Sequence, residues 1–322
     1  KGNAGIYDAL PFDASLVYPD RLNTMIADCQ SGKLDTGLGK TLEELRTLLR
    51  PIWKHHSVPD PYYALMLADG DRMGELLGNA RSEGEHRAIS SRLAHFAQEV
   101  PGRVRKYRGH CIYAGGDDVL AMVSLSQAIE LADDLRGFFS HELGDIAKQL
   151  GAPMPTFSVG LVFAHMQSPL GLTRRLASRA EQLAKGDESD NPRNALGILV
   201  APRSGAPVEL RTIWGDDVNA PYRQILELIG SYADNELPSG FAYEVRTLAN
   251  MLEGSEPADA QRIAQLELKR LLSHKNRDQG SRPVTLQTIR SVLEQAHDLP
   301  LEQVVQAHIV SRWIGQHLEE CP

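Results

Sequence analysis

Between residues 61 and 200, short continuous apolar runs alternate with longer stretches in which apolar residues recur at helical spacing. Runs of the first kind are typical of buried strands, and stretches of the second kind are typical of amphipathic helices. Strands are predicted for residues 61–68, 109–114, 119–124, 156–163 and 195–200, and helices for residues 72–106 (broken near 78–84), 125–150 and 170–185. This β-α-β-β-α-β order, with an extra helix and strand, predicts a ferredoxin-like α+β fold.

The two flanks of this region have a different pattern. After Trp214 and a short loop, the chain is predicted to be helical to its end, over residues 221–235, 241–253, 258–274, 284–297 and 301–319. In the other flank, a helix is predicted for residues 41–53, capped by Thr41 with Glu44 three residues later. Residues 13–19 are predicted to be a loop with a short extended piece. We therefore predict a lead-in segment (1–60), a ferredoxin-like α+β domain (61–214) and an all-α C-terminal domain (215–322).

Two predicted strands flank a Gly-Gly-Asp-Asp sequence at residues 115–118. A tight hairpin is predicted here, because glycine adopts positive φ without steric cost. A turn that only reverses the chain needs one Asp or Asn, whereas adjacent Asp117 and Asp118 suit a divalent cation. Gly115 and Gly116 would let a phosphate approach the backbone. An ordinary solvated turn is the alternative for this motif taken alone.

A second acidic cluster, Asp69-Gly70-Asp71, follows the first predicted strand. In a ferredoxin-like sheet the first strand lies beside the third, so its end meets the tip of the hairpin. Asp69, Asp117 and Asp118 are therefore predicted to form a metal site suited to nucleotidyl transfer. Asp71 would face the same side as Asp69 only if the strand continues that far.

Basic residues supply two further candidate contacts. Lys185 ends the third predicted helix and could reach a triphosphate near the carboxylates, although a solvated helix end is the alternative. In the helical tail, Lys269, Arg270, Lys275 and Arg277 form a dense patch. This patch is predicted either to be a solvated helix face or to contact RNA or an acidic partner.

Composition narrows these possibilities. With 34 basic and 42 acidic residues, the net charge of −8 means that general attraction does not drive nucleic-acid binding. No apolar run approaches membrane-spanning length. The three scattered cysteines lack a CxxC pair, which argues against a zinc site or a disulfide framework and is typical of a reducing cytoplasm. Because the chain begins at Lys1 without a Met or a signal peptide, we expect it to be a truncated or processed fragment.

These motifs resemble the large polymerase-like subunit of type III CRISPR effector complexes, in the version found in III-B (RAMP-module) systems. The resemblance is carried by DGDRMG at 69–74, GGDD at 115–118, SVG at 158–160, and Ala184-Lys185 with the RNAL sequence at 193–196. Residues 10–19 and the helical tail are similar to the segment before the second palm domain and to the C-terminal domain of that family.

The resemblance implies an ATP-binding, palm-type nucleotidyltransferase that makes cyclic oligoadenylate second messengers within an RNA-guided antiviral complex. It implies Mg²⁺ or Mn²⁺ as the cofactor, and other effector subunits, guide RNA, target RNA and another palm domain as partners. Asp69, Asp117 and Asp118 would be catalytic and metal-binding, and the nucleotide-binding residues would be Gly70, Asp71, Gly115, Gly116 and Lys185.

The sequence departs from the family pattern in three ways. It has one palm where members usually have two, it has no zinc-binding cysteines, and its His-Asp doublet (His297-Asp298) lies in the tail rather than in a nuclease domain ahead of the palm. Turnover by the isolated chain is therefore not implied. Two alternatives stay open: a scaffold that binds nucleotide, small helical subunits and the guide–target duplex without turnover, and a diguanylate-cyclase-like enzyme. The second is disfavoured because those enzymes carry GGDEF or GGEEF, whereas Val119 follows the acidic pair here.

Overall fold

The computed structural model describes residues 14–56, 58–187, 193–217, 220–275 and 283–319. The chain divides into two compact units, Lys1–Pro61 with Glu319–Pro322, and Tyr62–Leu318. None of the helices in the described ranges is long and apolar enough to cross a bilayer.

The first unit contains a 3-10 turn at Ala14–Val17 and two helices, α1 (Pro19–Gln30) and α2 (Thr36–His56). Thr41 lies inside α2, so its prediction as a cap is wrong, and α1 was not predicted. Gly37 and Gly39 weaken the helical signal ahead of Thr41. Packing overrides this weakness, since Gly39 lets α2 approach α1 so closely that a Cβ there would lie 3.3 Å from the Cβ of Cys29.

A six-stranded sheet forms the centre of the second unit, in the order β2-β3-β1-β4-β5-β6. Neighbouring strands are antiparallel except β4 and β5, which are parallel. The strands are β1 (Tyr62–Asp71), β2 (His110–Gly115), β3 (Asp118–Ser124), β4 (Thr156–His165), β5 (Ala195–Ala201) and β6 (Val208–Ile213). The predicted ferredoxin-like order is confirmed, and β6 is an addition at the edge that the sequence pattern did not predict.

Helices cover both faces of this sheet. The face with Met66 and Phe157 packs against α4 and α5, and the same buried cluster continues into the tail helices. Residues 62–318 are therefore one compact unit, and a domain boundary at residue 215 stays a prediction. The helices are α3 (Met73–Asn79), α4 (Glu83–Lys106), α5 (Ala128–Leu150), α6 (Leu170–Lys185), α7 (Pro221–Ala233), α8 (Phe241–Met251), α9 (Pro257–Lys275), α10 (Leu286–Asp298) and α11 (Leu301–Glu319).

The opposite face packs against α6, which lies unusually close to the sheet. Gly160 of β4 pairs with Gly197 of β5, so the two glycines sit side by side beneath the helix. A Cβ at Gly160 would overlap the backbone nitrogen of Glu181 and lie 2.7 Å from its Cα, and a Cβ at Gly197 would overlap the carbonyl oxygen of Ala180. The buried residues of α6 are correspondingly small, which allows the helix to lie this close to the sheet (Thr173, Ala177, Ala180 and Ala184). This glycine seat fixes where the last turn of α6 lies.

We predict that Gly160→Ala lowers the free energy of unfolding by about 3 kcal/mol, because the added methyl meets helix backbone that cannot rotate away. Gly137→Ala is the matched control, since a Cβ at this exposed position on α5 meets no atom within 4 Å. This control should be neutral or stabilising by about 0.5 kcal/mol. Urea unfolding monitored by circular dichroism measures the free energy of unfolding of both variants. Equal stability of Gly160→Ala and the wild type would show that the glycine is not needed for the close approach of α6.

Candidate functional site

The acidic residues predicted from the sequence converge at one edge of the sheet. β1 continues through Asp71, so the Asp-Gly-Asp sequence is part of the strand. Ala68 pairs with Val119 in antiparallel register, which places Asp69 opposite Asp118. Both carboxylates share the α6 face, because Leu67 and Leu120, two residues away along their strands, pack in the α6 cluster.

The hairpin between β2 and β3 is confirmed, and its turn is tight. Only Gly116 and Asp117 lie between the strands, and Gly116 has φ +65° whereas the φ of Asp117 is negative, as in a type II′ turn. Asp117 sits over Gly70 of β1, where a Cβ would lie 2.8 Å from the Cβ of Asp117 and 2.6 Å from Cζ of Phe139. Gly70 therefore has a packing function, because it lets the turn close onto β1.

The grouping of these carboxylates is electrostatically unfavourable in the absence of a cation. Partial removal from water, a hydrogen bond to Asp69 and the negative charges of Asp69 and Asp117 raise the pKa of Asp118 from 3.8 to about 6. Partial burial, with the nearby charge of Asp69, also raises the pKa of Asp117. The edge therefore favours a bound proton or cation.

Lys185 supplies a positive charge at this edge. Its Nζ lies 2.8 Å from Oδ2 of Asp69 and 2.6 Å from Oε1 of Glu181, one turn earlier on α6. Partial burial opposes its charge, but the hydrogen bonds to Asp69 and Glu181 outweigh that effect and raise the pKa of Lys185. The lysine thus bridges the helix and the sheet.

Arg211 of β6 holds the helical turn that carries Lys185. Its Nε donates to the carbonyl oxygen of Leu183 at 2.9 Å, and a terminal nitrogen donates to that of Ala184 at 3.4 Å. Carbonyl groups in the last turn of a helix lack intrahelical partners, so a cation there both satisfies and orients them. β6 is thereby linked to the site through the backbone of α6.

Asp71 lies apart from the other predicted carboxylates in its interactions, although it shares their strand. It is 1% exposed and accepts from Oγ1 of Thr156 at 2.8 Å, from Oγ of Ser158 at 2.8 and 2.9 Å, and from the backbone N–H of Asn194 at 3.1 Å. Arg193 adds an ion pair at 3.7 Å. Asp71 therefore fixes the chain before β5 to the start of β4, and its predicted contact with nucleotide stays a prediction.

The predicted basic patch lies elsewhere, on α9. Arg270 pairs with Glu267 on the same helix, and Nζ of Lys275 donates to Oε1 of Glu244 at 3.1 Å. Lys269 lines a groove between α9 and α10. Arg277 lies outside the described residues.

Across the described ranges, no group of three or more His, Cys, Asp or Glu side chains is already arranged around a metal position. In the present arrangement Lys185 engages one oxygen of Asp69. The donor set nevertheless suits a hard cation, because carboxylate oxygens are the ligands that Mg²⁺ prefers, and the raised pKa values indicate excess negative charge.

Sequence reasoning missed Glu181 and Arg211. Glu181 could have been found, because it stands four residues before Lys185 on a helix. Arg211 gave no signal, because its partners are backbone carbonyls and its strand was not predicted.

Comparison with known proteins adds to this geometry. Residues 62–197 match the family model of the Cas10/Cmr2 second palm domain. The CRISPR system Cmr subunit Cmr2 of Pyrococcus furiosus is 29% identical over 229 residues, which cover 62% of this chain and 25% of that relative. These findings confirm the resemblance seen in the motifs, and the chain spans about a quarter of the length of this curated relative.

Two solved structures share the fold. A chain of the type III-B Cmr-beta structure in the apo state has a TM-score of 0.55 at 14% identity, covering 84% of this chain and 40% of that chain. A chain of the Csm1–Csm4 cassette in complex with pppApApA has a TM-score of 0.50 at 18% identity, covering 80% of this chain and 37% of that chain. At these identities, the likeness shows the fold.

We predict that Asp118→Asn stabilises the ligand-free protein above pH 6. The folded chain holds the Asp118 proton more tightly than the unfolded chain, so ionisation lowers the free energy of unfolding as the pH rises from 3.8 to about 6. Removing that charge should raise the free energy of unfolding by about 1 kcal/mol at pH 7.5, because solvent screens this exposed carboxylate. At pH 3.5 the gain should vanish. Urea unfolding in the presence of EDTA measures the change in free energy of unfolding at both pH values. Asp145→Asn, exposed on α5, is the control. A gain in stability that does not depend on pH would show that it does not come from the ionisation of Asp118.

We predict that Arg211→Met loosens the last turn of α6. Loss of two charge-assisted hydrogen bonds should cost about 1–2 kcal/mol. It should also speed amide hydrogen exchange at the C-terminal end of the helix. Arg262→Met is the control, because its ion pair with Asp259 on α9 is exposed. Unchanged exchange at Gly186 in Arg211→Met would show that the arginine does not hold this turn.

Proposed function

We propose that the carboxylate edge binds ATP and takes part in joining ATP molecules into oligoadenylates, including cyclic ones, because residues 62–197 match the family model of the Cas10/Cmr2 second palm domain. In this reaction the 3′-hydroxyl of one ATP attacks the α-phosphorus of another, a P–O bond forms, and pyrophosphate leaves.

One observation carries the proposal, the grouping of three carboxylates beside a lysine. Asp69 of β1 lies opposite Asp118 of β3, and Asp117 of the hairpin turn is close enough to both for their charges to interact. Nζ of Lys185 lies 2.8 Å from Asp69. The pKa of Asp118 is raised to about 6 because these carboxylates crowd together. Grouped carboxylates with perturbed pKa values are typical of functional sites rather than of structural surface turns.

Each residue of the edge has a proposed part. Asp69, Asp117 and Asp118 would hold Mg²⁺ or Mn²⁺, which when bound neutralises developing charge on the phosphates and lowers the pKa of the attacking hydroxyl. Lys185 provides a point charge for the triphosphate. Gly116 keeps the tip of the hairpin open, since a Cβ there would meet no atom within 4 Å, so that phosphates can approach the backbone.

The Csm1–Csm4 structures of similar fold support the choice of nucleotide. They are described as complexes with pppApA and pppApApA, which are short oligoadenylates with a 5′-triphosphate. We propose the same product class for this chain.

The relatives are subunits of multi-subunit type III CRISPR complexes. We propose that this chain likewise works with other effector subunits, guide RNA and target RNA, and that another palm domain completes the reaction site. The basic patch on α9 is a candidate contact for those partners.

The proposal predicts that Asp117→Ala combined with Asp118→Ala abolishes product, because the carboxylates that would hold the cation are gone. The complete effector complex is incubated with ATP, Mg²⁺ or Mn²⁺ and target RNA, and oligoadenylates are separated by chromatography and identified by mass. RNA binding should be unchanged. The expected loss of rate is at least about 10³-fold, on the scale of other groups that stabilise transition-state charge.

The chain offers a matched control in a second Gly-Asp-Asp sequence at residues 215–217. Asp216 and Asp217 are exposed in a loop, where Asp216 pairs with Arg136. Asp216→Ala with Asp217→Ala removes the same two charges and should leave product formation intact. Wild-type product levels from the variant with Asp117→Ala and Asp118→Ala would show that these carboxylates are not part of the reaction site. Absence of product from the wild-type complex, with ATP bound, would favour a scaffold function.

A further inference from the structure

An aromatic side chain is exposed beside the carboxylates on the same face of the sheet. Tyr113 of edge strand β2 is 55% exposed and pairs with Leu120 of β3. Leu120 and Met122 pack partly in the α6 cluster, so they form an apolar floor next to the tyrosine.

Gly115 gives the tyrosine ring a defined position. A Cβ at Gly115 would overlap the Tyr113 hydroxyl oxygen and lie 2.5 Å from its Cζ. The ring therefore lies along the strand, over the glycine, with its other side open to solvent. The register shift between Cys111 and Tyr113 is of the kind that re-aims a side chain at a strand edge. The absence of a side chain at Gly115 therefore makes room for the ring.

The ring lies within the reach of one nucleotide from the carboxylates. Gly115 pairs with Asp118, and Asp118 stands opposite Asp69 on the next strand. From β2 to β1 is two strand spacings, about 10 Å. A nucleotide whose phosphates lie at Lys185 and the carboxylates is long enough to place its base over the ring on β2.

We propose that Tyr113 is the stacking platform for the nucleobase of the nucleotide bound at this edge. This inference rests on the proposed function, and it adds a binding residue that none of the acidic or basic motifs indicated. The three carboxylates of this edge repel phosphates until a cation is bound, so a contact with the base would add affinity that the phosphates alone do not supply. Base–aromatic stacking is tolerant of base identity, since every base has a π-face. Tyr113 therefore contributes affinity for a nucleoside without selecting adenine.

Binding of ATP, GTP and inorganic tripolyphosphate to the full chain in Mg²⁺, measured by calorimetry, tests the platform. Tyr113→Ala should weaken ATP and GTP alike by about 10-fold, on the scale of a single base–aromatic stack. It should leave tripolyphosphate affinity unchanged, because that ligand has no base. Tyr113→Phe should retain wild-type affinity. Ile112→Ala, a neighbouring exposed residue on β2, is the matched control and should change none of the three.

Lys185→Met tests the phosphate end of the site separately from the base end, because it should lower the affinity for all three ligands. An equal loss of ATP and tripolyphosphate in Tyr113→Ala would overturn the platform, as would unchanged ATP affinity. Weakened self-association with unchanged ATP affinity would assign the tyrosine to a protein interface instead and would also overturn it. A wild-type chain that binds neither ATP nor tripolyphosphate would overturn the proposed nucleotide site itself, which is a distinct result.

Discussion

The close approach of α6 to the sheet is the constraint on which the candidate site depends. Paired Gly160 and Gly197 leave no side chain between β4, β5 and the helix, so the helix backbone rests on the strands. The helix axis is thereby fixed in height, and its last turn delivers Lys185 to Asp69. A sheet with alanines at these positions would hold the helix farther away, and the lysine would not reach the carboxylate.

The same edge concentrates like charge, which costs stability. Asp69 and Asp118 lie opposite each other on neighbouring strands. The positive charge of Lys185, which forms ion pairs with Asp69 and Glu181, offsets part of their repulsion. The surrounding fold supports this arrangement through Arg211 on the helix end and through the buried Asp71, which joins β1 to β4 and to the chain before β5. Local sites that violate ordinary packing rules in this way, on a scaffold that otherwise obeys them, are where function is expected.

Much of the fold could be predicted, because apolar runs and helical spacing report burial directly. Five strands and the tail helices follow the predicted order. β6 was missed because it has no continuous apolar run: its apolar residues alternate with charged Glu209 and Arg211, a pattern typical of a half-buried strand. Thr41 was wrong as a cap because contact between α1 and α2 outweighs the weak helical propensity of two glycines. Asp71 lies two residues after Asp69 on β1 and so points to the same face of the sheet. Its hydrogen-bond partners Thr156 and Ser158 could not be predicted, because they lie on a strand about 85 residues away in sequence.

The sequence by itself determined the order of strands and helices and the presence of two acidic clusters at strand ends, since hydrophobic period and turn chemistry are local properties. From that order alone, the meeting of Asp69 with the hairpin could be deduced. Only the tertiary structure decided the distance of α6 from the sheet, the hydrogen bonds of Arg211 to the last turn of that helix and the position of the Tyr113 ring over Gly115. Each of these depends on the absence of a side chain or on a backbone carbonyl, and neither carries a residue pattern that can be recognised along the chain.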